Sequence, residues 1–516
     1  MNRASSVAVA LVLGLCVVTA PALAQRRAAR AGAAKGGTLS ERSYARARQI
    51  LDAALAAHGG LEAIRAAGDV SVKISGHGLA RNQSVDIGTP YDRQRHDESL
   101  YVDLANRRYI FESRDELPGG FVFGGKNVVS GGQGFFVNPR DRTVTPINMA
   151  NFNNVGIVRR VPHVFLLALH ETAAATLRYL GEDTFDGRRH HVVTAASTNG
   201  IHWALYFDAA TNLLSKYEIV VSDNLAGDAV QEWVFPAYRT VAGLKVPTRR
   251  VTRRAGEVTE EVTYDDVRFG AKLPEAAFAK PDGHEELPTP QPPPTRETKL
   301  ADGVYLFESG VNSLVVEFDT YVLVVEPPSG GRGPKPTITK VKEMFPGKPV
   351  RYVVVTHFHD DHSGGVRSYV AEGAAIVTTP ANRQYFERMA AATFTVAPDD
   401  QTRARKKPVF EFVRGGKRVF TDGKQTVEVI DIGPGPHARE MLVAYLPKEK
   451  LVFQGDLVNL PNSGKWMPST VNDTTVHFLE ALSRLNLDVK RVAAVHGPAT
   501  SIEDLREAVG RKRASR

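Results

Sequence analysis

The chain has 516 residues, 42% of them hydrophobic and 24% charged, and this balance is typical of a globular protein with at least two domains. Its formal net charge at pH 7 is +8, but apart from a basic tail at residues 511–516 the basic residues are dispersed, which argues against nucleic acid as a partner. The only cysteine is Cys16, so the rest of the chain cannot use a thiol as a nucleophile, in a disulfide or as a metal ligand.

The first 24 residues have the layout of a secretory signal peptide. A basic start is followed by the apolar run Val7–Val18, and Ala22-Leu23-Ala24 fits a small-residue cleavage site. The alternative is a membrane anchor, but the run is shorter than the roughly 20 residues that span a bilayer. We therefore expect cleavage after residue 24, a periplasmic or secreted protein without a transmembrane segment, and a flexible spacer at residues 25–40.

Residues 41–283 predict a β-rich accessory domain that begins with helices. Ser43–Ala57 has helical spacing and ends at a Gly-Gly pair, and a second short helix is predicted at Leu61–Ala67. From Val70 to Phe269 short alternating segments separated by turn residues predict antiparallel strands, interrupted by a helix at Pro162–Leu177. The following proline-rich residues 284–297 predict a semi-rigid linker.

Three stretches of this region loosely resemble the half-barrel of periplasmic lipoprotein carriers: Ala53–Ala63, Gly243–Pro247 and Pro274–Phe278. The resemblance implies a lipid or acyl chain as a partner of the N-terminal domain. A scaffold beside an active site is the alternative interpretation.

In residues 298–510 strands and helices alternate. Strands are predicted at 303–307, 313–317, 321–326, 350–355, 375–378, 427–432, 442–446, 450–454 and 491–495, and helices at 337–345, 381–391, 476–485 and 502–509. This order predicts an α/β domain of two sheets with helices outside.

The strand at 350–355 leads into an unusual concentration of potential metal ligands. Three histidines and two aspartates fall within six consecutive residues, His357-Phe358-His359-Asp360-Asp361-His362. Imidazole and carboxylate groups are ligands that zinc accepts. We therefore expect a metal site on the loop that leaves this strand.

Three further potential ligands each follow a later predicted strand: His437, Asp456 and His496. Single histidines are most often surface residues or hydrogen-bonded core residues. Four groups of such residues at strand ends of one domain are hard to explain by packing alone, so the sequence indicates one composite site.

The complete His-x-His-x-Asp-His motif and the order of the three later residues resemble the metallo-β-lactamase superfamily, whose fold is an αββα sandwich. The resemblance implies that His357, His359 and His437 hold one metal ion. It implies that Asp361, His362 and His496 hold a second, and that Asp456 bridges both. Two zinc ions are expected, with iron or manganese as alternatives.

Two positions depart from the family pattern. Glu326 follows an apolar strand that usually ends in an aspartate, and it is a candidate for the same orienting role. Asp456 stands where the cysteine-ligand β-lactamases have a cysteine, which favours the bridging-aspartate hydrolases. Asp360 occupies the variable position of the motif, and we interpret it as a residue that does not bind metal directly.

The resemblance implies an exported binuclear hydrolase in which a metal-bridged hydroxide attacks an ester, lactone, thioester or amide carbonyl of a small-molecule substrate, β-lactams included. Asp361 is the candidate catalytic residue because it can orient the hydroxide and carry a proton. One alternative is an oxidoreductase that uses a single iron to oxidise persulfides. The other is a lipid-binding or partner-binding protein with a structural metal site.

Overall fold

A computed structural model of the chain describes residues 37–147, 159–196, 200–289, 296–308, 311–328, 335–460, 464, 466 and 470–514. The predicted signal peptide, most of the predicted spacer, residues 290–295 of the linker and residues 515–516 lie outside this part. No helix of the described ranges is long and apolar enough to cross a membrane.

Within its described ranges, the N-terminal part, residues 37–289, contains three α-helices and sixteen strands. The helices are α1 (Leu39–Ala57), α2 (Leu61–Ala66) and α3 (Pro162–Thr172). The strands are β1 (Val70–Leu79), β2 (Arg93–Asp103), β3 (Arg108–Leu117), β4 (Phe121–Ser130), β5 (Gln133–Asn138), β6 (Thr143–Pro146), β7 (Arg178–Phe185), β8 (Arg188–Ala196), β9 (His202–Asp208), β10 (Leu214–Asp223), β11 (Gly227–Val234), β12 (Tyr238–Val241), β13 (Leu244–Pro247), β14 (Arg249–Arg254), β15 (Glu257–Phe269) and β16 (Glu285–Glu286).

Fourteen of these strands form one sheet in the order β16-β6-β5-β4-β3-β2-β1-β15-β14-β11-β10-β9-β8-β7, and β12 and β13 form a separate pair. Neighbouring strands are antiparallel, except that β16 runs parallel to β6. Helices α1 and α3 pack on the sheet through a core that includes Ile50, Phe165 and Trp203. The predicted mainly antiparallel β region with N-terminal helices is therefore confirmed.

The C-terminal part, residues 296–514, contains seven helices and thirteen strands within its described ranges. The helices are α4 (Lys335–Met344), α5 (Asp360–Ser363), α6 (Val366–Glu372), α7 (Arg383–Ala391), α8 (Asp400–Ala404), α9 (Asp473–Arg484) and α10 (Ile502–Ala514). The strands are β17 (Arg296–Ala301), β18 (Val304–Glu308), β19 (Ser313–Glu317), β20 (Val322–Val325), β21 (Val350–Val354), β22 (Ala375–Thr378), β23 (Val409–Phe412), β24 (Lys417–Thr421), β25 (Thr426–Asp431), β26 (Leu442–Leu446), β27 (Leu451–Gln454), β28 (Arg491–Ala494) and β29 (Thr500–Ser501).

Strands β17–β23 form a seven-stranded sheet and β24–β29 a six-stranded sheet, each in chain order. Leu314 and Val354 from the first sheet share a buried core with Val429 and Phe453 from the second, so the two sheets face each other. Helices α4, α6 and α7 cover the outer face of the first sheet, and α9 and α10 cover that of the second. The predicted αββα sandwich is confirmed.

Several predicted boundaries differ from the observed elements. Helix α10 continues through Gly510 to Ala514, past the predicted end at 509, because Arg511 and Arg513 pair with acidic partners and basic residues favour a helix C-terminus. Strand β16 pairs with β6 inside the predicted linker. The helix predicted at 162–177 leaves α-geometry after Thr172 and continues as a 3-10 turn at Ala174–Thr176.

The two parts share a packed junction. Ile87, from the loop between β1 and β2, and Leu225, from the turn between β10 and β11, pack into the core under α4, α6 and α7. The Asp228 carboxylate accepts hydrogen bonds from the backbone N–H of Thr395 at 2.6 Å and of Val396 at 3.1 Å. These contacts hold the N-terminal sheet against the sandwich.

Candidate metal centre

The first group of predicted ligands consists of His357, His359 and His437. One nitrogen from each ring lies within 4.8 Å of the others, and all three side chains are buried. The Nε2 atoms of His357 and His437 are 3.1 Å apart. The structure therefore brings together three imidazoles, although the first and the last of these residues are 80 positions apart in the sequence.

The second group consists of Asp361, His362, Asp456 and His496, which also approach within 4.8 Å of one another. Asp456 Oδ2 is 3.0 Å from His362 Nε2 and 3.6 Å from His437 Nε2. Asp456 Oδ1 is 3.3 Å from His496 Nε2. The carboxylate of Asp456 thus lies between the two groups, where the predicted bridging ligand belongs.

These side chains meet because they follow strands that end at the same edge of the sandwich. His357 comes after β21, and Asp456 comes directly after β27 and Gly455. A Cβ atom on Gly455 would lie 2.5 Å from Thr356 Oγ1 and 3.2 Å from the His357 ring. Only glycine allows this approach between the two strand ends. The loop prediction holds for His357 and His359, whereas Asp361 and His362 lie in the short helix α5.

Glu326 orients the second group from outside it. The residue is fully buried, and its φ of 72° is in the left-handed region, which costs about 1–3 kcal/mol for a residue other than glycine. In this conformation Oε1 accepts a hydrogen bond from Thr356 N at 2.8 Å, and Oε2 lies 3.1 Å from His362 Nδ1. Such a carboxylate partner fixes the ring of a metal-binding histidine and leaves its other nitrogen for the ion.

The electrostatic environment shifts the pKa values of the histidines in opposite directions in the two groups. Burial, with the neighbouring imidazoles, holds the pKa of His357 well below its usual range and lowers that of His359 to about 3, so both rings are neutral. Burial alone would lower the pKa of His362, but Asp456, Asp361 and Glu326 outweigh it and raise that pKa well above its ordinary value. Neutral imidazoles and ionised carboxylates are the forms that bind metal, so a metal ion in the second group would take the place of the proton on His362.

The chemistry of the donor set fits divalent cations. The Nδ1 atom of His359 is buried and has no hydrogen-bond partner among the described residues, although buried polar atoms normally have one. The Nε2 atoms of His357 and His437 and the Oδ2 atom of Asp456 lie close together around one space, with His437 Nε2 3.1 Å from His357 Nε2 and 3.6 Å from Asp456 Oδ2. Cations placed in each group would satisfy these atoms, so the residues present fit the metal ions implied by the sequence.

A third group of potential ligands lies in the N-terminal part and comprises His96, Glu98 and Glu260. Burial alone would lower the pKa of His96, but Asp115 and Glu98 raise it to about 10, so the ring is protonated at neutral pH. Arg250 lies 3.4 Å from Glu98 and 2.8 Å from Glu260. These positive charges already neutralise the carboxylates, and we interpret the group as an ion-pair network.

Residues of the N-terminal part also line the centre, which sequence reasoning missed. The Ser84 carbonyl is 2.9 Å from His359 Nε2, and Gln83 Nε2 is 2.7 Å from Asp361 Oδ1. The Phe121 ring makes an edge contact with the His437 ring at 5.2 Å between centroids. Gly119, with φ of 84°, precedes it at the tip of the β3–β4 hairpin, where a Cβ would lie 2.7 Å from Thr474 Cγ2.

The comparisons with known proteins concern the C-terminal part. The model of the metallo-β-lactamase superfamily matches residues 306–497, a range that contains all seven predicted ligands. The type 2 metallo-β-lactamase of Elizabethkingia meningoseptica is 24% identical over 203 residues, which are 36% of this chain and 74% of that protein.

Two solved structures are also similar to the C-terminal part. The metallo-β-lactamase from Pontibacter korlensis has 23% identity and a TM-score of 0.32, over 42% of this chain and 98% of its own. FIM-1 from Pseudomonas aeruginosa in its mono-zinc form has 20% identity and a TM-score of 0.32, over 43% and 96%. The C-terminal half of this chain belongs to the metallo-β-lactamase superfamily.

Proposed function

We propose that the protein is a binuclear metal-dependent hydrolase that cleaves an ester, lactone, thioester or amide bond, β-lactams included, in a small-molecule substrate. The observation that carries this proposal is the convergence of seven nitrogen and oxygen ligands in two groups with Asp456 between them. A structural zinc site is usually closed by four ligands. A set of seven favours two ions with positions left for water and substrate.

In this proposal His357, His359 and His437 would hold one zinc ion, Asp361, His362 and His496 would hold the other, and Asp456 would be shared between the two. When bound, two divalent ions would activate a water molecule as the nucleophile and polarise the carbonyl group of the substrate. The side chains of His357, His359 and His362 are fully buried, and they exclude solvent from the inner side of the site.

The open side of the site lies at Asp361 and His496, whose side chains are 42% and 30% exposed. A substrate carbonyl that enters there meets the carboxylate of Asp361 first. We propose that this carboxylate orients the attacking water and takes up its proton, which it can then pass to the leaving group.

Export is a separate part of the proposal, and it rests on residues 1–24 alone. The mass and N-terminal sequence of the protein recovered from its native host test it. Cleavage after Ala24 supports export to the periplasm or the medium, and an intact Met1 in all recovered protein contradicts it.

The hydrolase proposal is tested with His359→Ala against His202→Ala, which removes an exposed imidazole from β9. Turnover of chromogenic ester, lactone, thioester and β-lactam substrates is measured in the presence of zinc. Loss of a direct ligand should lower kcat/KM by more than about 100-fold, beyond the usual effect of residues around a site, and the control should retain it. Full activity in His359→Ala sinks the proposal.

A further inference from the structure

We propose that the N-terminal part completes the metal centre, because its segment Asn82–Ser84 positions two of the ligands. The segment lies between β1 and β2 and reaches the start of α5 from the opposite half of the chain. The inference takes the metal ions of the proposed function as its premise but does not depend on which bond is cleaved. It makes Gln83 and Ser84 positioning residues of the centre.

Ser84 determines which nitrogen of His359 faces the ion. Its carbonyl oxygen is 2.9 Å from His359 Nε2, and both residues are fully buried. A carbonyl can only accept, so Nε2 must carry the proton and donate it. The lone pair of the ring then lies on Nδ1, the buried nitrogen that has no partner in the described part of the chain. That tautomer is the one a metal ion at the first group requires.

Gln83 acts in the same way on Asp361. Its amide nitrogen donates to Asp361 Oδ1 at 2.7 Å and to Asp360 Oδ1 at 3.2 Å. With Oδ1 engaged, Asp361 presents Oδ2 to the second group, where that atom lies 3.4 Å from His362 Nε2. The donor also reduces the repulsion between two adjacent carboxylates. Gln83 therefore selects the carboxylate oxygen that is available to the ion.

The segment is itself braced on both sides. Ser84 Oγ donates to Ala80 O at 2.9 Å and accepts from Asp92 N at 2.8 Å, which closes the loop on its own strands. Further along the loop, Arg439 N donates to Val85 O at 2.8 Å. A loop fixed in this way can hold ligand geometry, as the residues around metal sites do.

The test compares Gln83→Met with Asp86→Asn in the full chain. The first variant keeps side-chain length and removes the donor, whereas the second weakens the exposed Asp86–Arg439 pair of the same loop and leaves Gln83 in place. Zinc affinity is measured by chelator competition, and the absorption spectrum is recorded after substitution with Co²⁺. Values of kcat and KM are measured on any substrate that the wild type hydrolyses.

We expect Gln83→Met to bind the zinc ion of the second group about 10–100-fold less tightly, to change the Co²⁺ spectrum and to lower kcat more than it raises KM. Asp86→Asn should match the wild type in all three. Gln83→Ala, measured in parallel, should show the same loss, which guards against a folding defect of one variant.

The inference is overturned if both Gln83 variants keep wild-type zinc affinity and an unchanged Co²⁺ spectrum. It is also overturned if Asp86→Asn loses as much zinc affinity as Gln83→Met. The proposed function fails differently, because a wild type that binds two ions and hydrolyses no substrate contradicts it. In that case a loss of affinity in Gln83→Met still supports the positioning role.

Discussion

Glu326 shows how a single residue connects strand geometry to ligand chemistry. Its left-handed backbone turns the carboxylate away from the apolar β20 and toward both Thr356 N and His362 Nδ1. From the sequence this position was an imperfect match to an expected aspartate. In the structure the Glu326 carboxylate contacts a histidine of the second group, as the candidate orienting role requires.

Two buried histidines far from the metal centre make the stability of the N-terminal part depend on pH. Burial lowers the pKa of His58 from 6.5 to about 4 and that of His163 to about 3. Since both pKa values are depressed in the folded state, the unfolded chain binds more protons below pH 6.5. Stability is therefore complete above that pH and falls as the pH drops toward 4.

We expect His58→Gln to have a shallower pH dependence than the wild type. Each pKa unit corresponds to about 1.4 kcal/mol, so His58 alone should cost the wild type about 2 kcal/mol between pH 7 and pH 5. Denaturant unfolding of metal-free protein at both pH values measures the difference. An identical loss in wild type and variant would show that His58 does not titrate as its burial requires.

At the scale of elements, the strands of the sandwich were predictable because their burial leaves a simple pattern. Strand β20 is wholly buried and β21 is buried at its three valines, and the sequence located both strands within one or two residues. Helices α5 and α6 were missed, since Gly364 and Gly365 separate two short helical turns. Strands β23 and β24 were missed because β23 is mostly half-buried and β24 is largely exposed, so neither shows a clear burial pattern.

The turn between β10 and β11 connects the N-terminal sheet to the sandwich through the side chain of Leu225. Leu225 is 8% exposed and lies in the core under α4, α6 and α7, although it belongs to the N-terminal sheet. Leu225→Ala should therefore lower the free energy of unfolding by about 2–4 kcal/mol, the usual cost of such a cavity. Val220→Ala on β10, where the side chain is 60% exposed, should change it by less than about 0.5 kcal/mol.

Chemical denaturation followed by fluorescence and circular dichroism measures both variants. If Leu225→Ala is as stable as Val220→Ala, the junction contributes nothing and the two halves are independent. A loss confined to Leu225→Ala indicates that the sandwich and the N-terminal sheet stabilise each other.

For the whole molecule, the sequence identified the candidate ligands but not the residues that surround them. The seven predicted side chains come together as the motif and the strand ends indicate, although their role as metal ligands stays a prediction. Asn82–Ser84 carries no local signal, because its contacts are to residues about 275 positions away. Such contacts depend on how the N-terminal sheet packs against the sandwich, and short-range sequence patterns do not predict that packing.

The partner of the N-terminal part also stays a prediction. A trough of about 1610 Å³ in this part is lined by both apolar and charged side chains, among them Phe136, Lys73, Glu112 and Arg114. An acyl chain would meet only part of this surface favourably, since apolar ligands are usually bound by mainly apolar walls. The contacts with the metal centre support the alternative role as a scaffold beside the active site.

The central claim is that the C-terminal part holds two metal ions at a centre that residues of the N-terminal part complete. Metal content of the purified full chain, measured by mass spectrometry of the elements after equilibration with zinc, tests it most directly. We predict two zinc ions per chain in the wild type and at most one in Asp456→Ala. A single tightly bound iron per chain, or a zinc content that Asp456→Ala leaves unchanged, would contradict the account.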